Sequence, residues 1–100
     1  MQHNVYSIYD RKAQSYSNPF LSATDEMAVR VVVSSISPQS QFALYPSDFQ
    51  LYRLGSFSDS SGLFTSDTVS PLSLIRDLVP SKYRDLALDG SYDTGGAQNG

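Results

Sequence analysis

The alternation of apolar and polar positions predicts a strand near the start of the chain. Tyr6 and Ile8 recur with a period of two among β-branched and aromatic neighbours, which places them on one face of a strand. A run of three charged residues then interrupts the apolar pattern. Asn18 and Pro19 predict a turn, because the residue before a proline is pushed out of the α region. We therefore predict that residues 5–20 form a strand and a polar connection against which the later elements pack.

A helical period follows this connection. The stripe that falls at i, i+3, i+4, i+7 and i+8 comprises Ala28, Val31, Val32, Ser35 and Ile36. Ser22, with Asp25 three residues later, indicates an N-cap, and Thr24 is a second candidate for the cap. Three consecutive valines would also suit a strand, but the cap, the period and the stop at Pro38 favour a helix. We predict a helix over residues 23–36.

The middle of the chain predicts two further strands with a turn between them. Residues 41–45 alternate in hydrophobicity and predict a strand, and the Pro-Ser-Asp sequence at 46–48 predicts the turn. Residues 49–57 carry apolar and aromatic side chains on both faces, which favours a central strand. The two faces of this strand carry Phe49, Leu51 and Arg53, and Gln50, Tyr52 and Leu54, respectively. Gly55 indicates a bulge or a close approach of two backbones.

The last part of the chain is more polar. A serine-rich loop leads to a short predicted strand at 63–65, and residues 71–80, bounded by two prolines, predict one or two helical turns. From residue 81 the chain is polar, and we expect residues 89–100 to be disordered.

Together these patterns predict an α+β fold. We expect a sheet of three or four mostly antiparallel strands with one main helix packed on one face. The expected organisation is a single domain over residues 1–80 and a polar, flexible C-terminal tail over residues 81–100.

Composition narrows the classes of function. One hundred residues, of which 40% are hydrophobic, suffice for one modest core. The net charge of −3 argues against strong non-specific binding to nucleic acid by the chain as a whole, since counterion release requires clustered cations. The chain has no cysteine, which excludes disulfides and thiolate chemistry.

The sequence shows no arrangement typical of a catalytic or metal site. His3 is the single histidine, so neither a Ser-His-Asp triad nor a histidine-based metal site is expected. Gly95 and Gly96 have no strand before them and no helix after them, unlike a phosphate-binding loop. We expect a non-enzymatic protein without cofactor or metal. No apolar run approaches the ~20 residues of a membrane span, and no signal-peptide pattern is present, so we expect an intracellular protein that does not contact a membrane.

One group of residues suggests that the protein binds nucleic acid. Rings and cations alternate in and after the first strand, and a further cation lies in the central strand. This candidate nucleic-acid site comprises Tyr9, Arg11, Lys12, Tyr16 and Arg53, with Tyr6 and Tyr52 nearby in the predicted strands. Aromatic rings stack on bases and cations neutralise phosphates. The alternative interpretation is that the rings pack within the domain and the cations are ordinary surface charges.

The order of two motifs resembles a known family. The first is the segment Tyr6–Ala13 (YSIYDRKA), followed by Tyr16 and Pro19-Phe20, and the second is the segment Tyr45–Phe57 (YPSDFQLYRLGSF), followed by Gly62. With a helix between them, they resemble the small nonstructural protein of gokushovirus-type microviruses, which are single-stranded DNA phages. The similarity covers about residues 4 to 80.

The resemblance implies a phage protein that is absent from the virion and is associated with viral DNA replication or single-strand DNA synthesis in the cytoplasm of the infected bacterium. The resemblance identifies no catalytic residue in this chain. We therefore expect an accessory protein that binds single-stranded DNA. The alternative is a homodimeric adaptor that modulates a host or viral replication protein without binding DNA.

Overall fold

The computed structural model describes residues 1–93, which form an antiparallel sheet with helices. The strands are β1 (Gln2–Asp10), β2 (Ser15–Tyr16), β3 (Phe20–Ser22), β4 (Phe49–Ser58) and β5 (Phe64–Leu74). The helices are α1 (Asp25–Ser35) and α2 (Gln41–Leu44), and 3₁₀ turns occupy Pro46–Asp48, Ile75–Asp77 and Ser81–Leu86. The predicted α+β class is confirmed. The sheet has five strands, and α1 is accompanied by further short helical segments.

β1 is the strand on which the sheet is built. It pairs with β4 along its whole length, and β2 and β3 both pair with it as well, so these two short strands share its other side. β5 pairs with the far side of β4, which gives the order β2-β1-β4-β5. β2 and β3 together act as one interrupted edge strand, and the sheet is therefore four strands wide.

Ser17 closes the gap between the two pieces of this edge. Its backbone N–H donates to the carbonyl of Ile8 at 2.8 Å, and its hydroxyl accepts the N–H of Ile8 at 3.0 Å. Its own carbonyl accepts the hydroxyl of the fully buried Ser7 at 2.7 Å. Ser17 thus continues the hydrogen bonding of this edge to β1 between β2 and the predicted turn at Asn18 and Pro19, where proline provides no N–H.

The core lies between the sheet and the helical segments. The buried cluster comprises Tyr6, Ile8 and Leu51 from the sheet, Ala28, Val32 and Ile36 from α1 and its C-cap, Ala43 from α2, and Ile75 and Val79 after β5. The side chains of β1 and β4 that alternate with this set lie on the opposite face of the sheet.

Helix α1 begins two residues later than the first candidate cap suggests. Thr24, and not Ser22, is the N-cap, and its hydroxyl accepts the N–H of Met27 at 3.1 Å. Ser22 is buried in β3 instead. The buried stripe is also narrower than predicted, because Val31 is 50% exposed.

The prediction of a strand at residues 41–45 is wrong. Gln41–Leu44 forms α2, whose N-cap Ser40 accepts the N–H of Ala43 at 3.3 Å through its hydroxyl. Ala43 is fully buried. Four residues with apolar side chains at alternate positions also fit a single helical turn, and here the serine cap and burial of Ala43 decide between the two.

The end of the sheet also differs from the prediction. The predicted short strand at 63–65 belongs to the much longer β5, which continues through Pro71 to Leu74. The predicted helical turns at 71–80 are limited to Ile75–Asp77. Proline is tolerated within β5 because this strand lies at the edge of the sheet.

Residues 81–93, which we assigned to the polar tail, contact the rest of the protein. The N–H of Leu88 donates to the carbonyl of Leu44 at 2.7 Å, and the hydroxyl of Tyr92 donates to the carbonyl of Arg76 at 2.5 Å. The remainder of the predicted disordered segment, 94–100, lies outside the described residues.

The distal part of the β4–β5 hairpin, residues 56–69, is called the arm below. Its tip and the first half of β5 are exposed at every position from Asp59 to Val69. Its aromatic contact is between Phe57 and Phe64, whose ring centroids lie 4.7 Å apart. The molecule is accordingly long, measuring 57 × 24 × 20 Å.

Candidate nucleic-acid interface

Three tyrosines meet on the face of the sheet opposite the helices. The ring centroids of Tyr9 and Tyr16 lie 4.8 Å apart, and those of Tyr16 and Tyr52 lie 5.6 Å apart. Tyr9 and Tyr52 are separated by 6.3 Å in an edge-to-face arrangement. These distances are typical of interacting aromatic pairs. Tyr9, Tyr16 and Tyr52 are called the tyrosine cluster below.

Strand pairing explains why the three rings meet. Tyr9 lies directly opposite Tyr16 in the β1–β2 ladder and opposite Gln50 in the β1–β4 ladder. Tyr52, two residues after Gln50, lies on the same face, and Leu51 between them points into the core. The cluster therefore spans three neighbouring strands.

The cluster is open to solvent to different degrees. Tyr16 is 47% exposed, whereas Tyr9 and Tyr52 are half-buried beside it. Exposed ring faces on a rigid sheet are suited to stacking on planar groups, including nucleobases, because the rings lose little rotational freedom on binding.

The two cations of the first motif lie in the turn that follows Tyr9. Asp10 shapes this turn, since its Oδ1 accepts the N–H groups of Lys12 at 2.9 Å and Ala13 at 3.2 Å. The guanidinium of Arg11 donates to the carbonyl of Ser47 at 3.3 Å. Arg11 and Lys12 are both exposed and follow Tyr9 by two and three residues. The contacts that the structure shows for them lie beside the 3₁₀ turn before β4.

The surroundings of Lys12 are acidic. It lines a cavity of about 350 Å³ with Tyr45, Asp48 and Asp89 among its neighbours. Hydrogen bonds from Ser91 and from the N–H of Ser47 lower the pKa of Asp89 despite its partial burial. Two carboxylates beside a lysine reduce the attraction that this part of the surface exerts on a phosphate.

Arg53 lies on the other face of the sheet. It pairs with Tyr6 in the β1–β4 ladder, and its charge acts on the hydroxyl of Tyr6, on the face that carries α1. That hydroxyl donates to Oδ1 of Asp25 at 2.6 Å and accepts from Nδ2 of Asn4 at 3.0 Å. Burial, assisted by the hydrogen bond to Asp25, raises the pKa of Tyr6 to about 12.

The structure thus brings together only part of the predicted site. Tyr9 and Tyr16 are in contact, Arg11 and Lys12 lie in the adjoining turn, and Arg53 is separated from them by the sheet. Tyr52 belongs to the cluster although the predicted site did not include it. Its signal was in the sequence: alternation along β4 places it on the face opposite Leu51, and so opposite Arg53.

A second concave surface lies beside the start of α1. It has a volume of about 420 Å³ and is lined by Asp25, Glu26, Val29, Arg30, Leu72 and Ser73. His3 lies elsewhere, beside the tip of the arm, with its Nε2 3.1 Å from Oδ2 of Asp59. Within residues 1–93, no group of three or more potential ligands is positioned to hold a metal ion, and no helix is long and apolar enough to cross a membrane.

Comparison with known proteins places the chain in a family. The family of the phage ORF5 protein matches residues 3–79. The chain belongs to this family. The match runs from β1 to the residues after β5, so it includes the whole tyrosine cluster and both cations of the turn. No curated protein matches the chain, and no solved structure matches it. Membership of the phage ORF5 family indicates a phage accessory protein.

Proposed function

We propose that this phage protein is a non-catalytic accessory protein of viral DNA replication or single-strand DNA synthesis that binds single-stranded DNA. The observation that supports the proposal is the tyrosine cluster, which presents three rings from three adjacent strands on the face of the sheet opposite α1. Membership of a phage family is consistent with this role.

In the proposed mode of binding, bases stack on the cluster. Tyr16 is the most exposed of the three rings and provides the outer platform, while Tyr9 and Tyr52 support it from the sheet. Stacking is worth about 1–3 kcal/mol per base, and a single strand is preferred because its bases are free to unstack from one another. Arg11 and Lys12, in the turn that follows Tyr9, contact the phosphates.

We further propose the biological setting implied by the resemblance to gokushovirus-type microviruses. The protein then acts in the cytoplasm of the infected bacterium and is not part of the mature virion. No enzyme chemistry, cofactor or metal is included in the proposal.

The proposal is tested by the fluorescence anisotropy of a labelled single-stranded oligonucleotide titrated with the purified protein. Tyr16→Ala is expected to weaken binding about tenfold, since one stacking contact is lost, and Tyr16→Phe is expected to retain most of the affinity. Met27→Ala is the matched control, because Met27 is similarly exposed but lies on α1.

Charge reversals test the phosphate contacts. Reversal of Arg11 and Lys12 to glutamate is expected to weaken binding and to flatten its dependence on salt. Arg53→Glu is expected to leave the affinity close to that of the wild type, since Arg53 lies across the sheet. Equal losses for all three positions would contradict binding at the cluster face.

A protein adaptor is the second candidate function. It is favoured by the net charge of −3 and by apolar side chains exposed on the arm, such as Leu63 and Phe64. In this case a second copy of the chain or a replication protein is the partner. Absence of DNA binding at micromolar protein, together with a concentration-dependent increase in mass in sedimentation experiments, would support this function over the first.

A further inference from the structure

The face of the sheet opposite α1 extends well beyond the tyrosine cluster. Tyr6 and Leu51 point to the core, so the residues that alternate with them in β1 and β4 lie on this opposite face. Residues that are paired directly in an antiparallel ladder share a face. Leu21 of β3 is paired with Val5 of β1 and therefore lies on the same face as the cluster.

The same face continues into the arm. His3, six positions before Tyr9 in β1, is paired with Phe57, and Phe57 is paired with Phe64. The two phenylalanine rings are in contact, with centroids 4.7 Å apart. Phe64 is 67% exposed, and Leu21 is 43% exposed. Exposed apolar side chains are thus spread along one face, which is typical of a surface that a partner covers.

The paired positions of this face carry no ionic group that repels a second copy. Among the residues that the ladders of β1 to β5 place on it, none has a carboxylate, an ammonium or a guanidinium. The centres of protein interfaces are likewise depleted of charged residues and enriched in tyrosine and phenylalanine. Two copies with a net charge of −3 each repel one another, and an approach through this face brings the fewest charges together. An uncharged aromatic face is also complementary to itself, as a two-fold interface requires.

The size of the face predicts a weak dimer. β1 has nine residues and β4 has ten. Strands of this length extend about 30 Å, and four strands side by side are about 15 Å wide. The footprint of about 450 Å² per copy is smaller than the ~800 Å² that each partner buries in a typical stable complex. We therefore expect monomers and dimers to exchange at micromolar or higher concentrations.

We propose that two copies of the chain associate through this face, sheet against sheet, and that the dimer closes the tyrosine cluster to DNA. Sheets packed face to face lie about 10 Å apart with interdigitated side chains, so Tyr16 cannot stack on a base within the dimer. A second copy and single-stranded DNA then weaken each other's binding by the same factor. The dimer follows from the face alone, whereas its effect on DNA rests on the proposed function.

Self-association is tested by sedimentation equilibrium of the full-length protein without DNA. The average mass is expected to rise from one copy towards two between about 1 μM and 1 mM protein. Leu21→Lys places a charge within the interface and is expected to raise the dissociation constant at least about tenfold. Phe64→Ser, on the arm, is expected to raise it in the same direction. Amide NMR spectra show whether each variant retains the fold.

Met27→Lys is the matched control, because it makes the same change of net charge at a residue that is 51% exposed on α1. It is expected to change the dissociation constant less than about twofold. A wild type with the mass of one copy at all concentrations would overturn the proposal, and so would equal effects of Leu21→Lys and Met27→Lys.

The effect on DNA is tested with a thymidine tetranucleotide, which is too short to join two copies through separate sites. Saturating tetranucleotide is expected to return the protein to the mass of one copy with one oligonucleotide. A dimer that persists with the oligonucleotide bound would overturn the shared face. DNA binding by a protein that is always monomeric would overturn this inference and uphold the proposed function. A dimer that binds no DNA would uphold the interface and contradict the proposed function.

Discussion

At the scale of single residues, the buried hydroxyl of Tyr6 illustrates how this small core accommodates polar atoms. Tyr6 is fully buried and packs its ring against Phe20, with centroids 5.6 Å apart. Its hydroxyl reaches the first turn of α1, where it donates a hydrogen bond to Oδ1 of Asp25 at 2.6 Å. Asn4 supplies the second hydrogen bond. One side chain thereby fills the core and also ties β1 to the start of α1.

Tyr6→Phe is expected to lower the free energy of unfolding by about 1–3 kcal/mol, because Asn4 and Asp25 lose their shared partner while the packing is retained. Urea denaturation at pH 8 measures this difference. Ser34→Ala, on the exposed side of α1, is the control and is expected to change stability by about 0.5 kcal/mol or less. A Tyr6→Phe variant as stable as the wild type would contradict the role of the hydroxyl.

The same hydroxyl gives the wild type a dependence on alkaline pH. Because folding raises the pKa of Tyr6 from 10.0 to about 12, the unfolded chain loses this proton first, and stability falls as the pH rises between these values. The contribution is complete below pH 10 and amounts to about 2–3 kcal/mol. Tyr6→Phe lacks it, so the difference in stability between the two proteins is expected to narrow between pH 10 and pH 12. A constant difference would contradict this assignment.

At the scale of elements, Gly55 determines how the arm leaves the sheet. Both ladders of β4 shift register next to this glycine, as the sequence predicted for a bulge or a close backbone approach. A Cβ atom at this position would lie 2.1 Å from the carbonyl oxygen of Thr65 in β5. Only the absence of a side chain allows the two strands of the arm to pair here.

Gly55→Ala is therefore expected to force β4 and β5 apart and to cost about 1–3 kcal/mol of stability. Hydrogen exchange should be fastest at the amides of the arm, where strand pairing is lost first. Ser56→Ala is the control at the neighbouring position. Unchanged exchange in the arm of the Gly55→Ala variant would show that the bulge adapts to a side chain.

The sequence predicted the long elements and missed those that depend on tertiary contacts. The strands around Tyr6 and Leu51 have strong period-two patterns, and the helix has both a cap and a period, so they were placed correctly. Residues 41–45 were wrong because the alternation of Phe42 and Leu44 is compatible with either a strand or a helical turn. The length of β5 was missed because its polar, exposed half lacks any apolar periodicity.

At the scale of the whole molecule, the acidic protein has few cations near the tyrosine cluster, and their number determines how strongly the proposed DNA binding depends on salt. Of the cations in the predicted site, Arg11 and Lys12 lie in the turn that follows Tyr9, and Arg53 lies across the sheet. Two phosphate contacts on a single strand predict a slope of about −1.4 for the logarithm of the binding constant against the logarithm of the salt concentration. Anisotropy titrations over a range of sodium chloride measure it. A slope steeper than about −4 would require further cations and would contradict binding dominated by stacking.

Only the part of the candidate site that is formed by residues close together in the sequence could be predicted. Tyr9 and Tyr16 flank one short turn, so their contact follows from local hairpin geometry. The contribution of Tyr52 and the exclusion of Arg53 depend on the pairing of β1 with a strand some forty residues later. A single sequence contains the alternation of faces but not the register that joins distant strands.

The position of β1 between its neighbours has a consequence for synthesis on the ribosome. Its ladder with β4 joins Gln2 to Ser58 and Asp10 to Phe49, so the central ladder of the sheet closes only after β4 has left the exit tunnel. Until then, the nascent chain has only the local ladders of β1 with β2 and β3 to shield Val5 and Ile8. Pairing between distant segments is slow to form, and uncovered strands attract chaperones and other nascent chains. The completion of this fold is therefore tied to the emergence of β4, and translation pauses before residue 58 are expected to lengthen the time during which β1 is vulnerable.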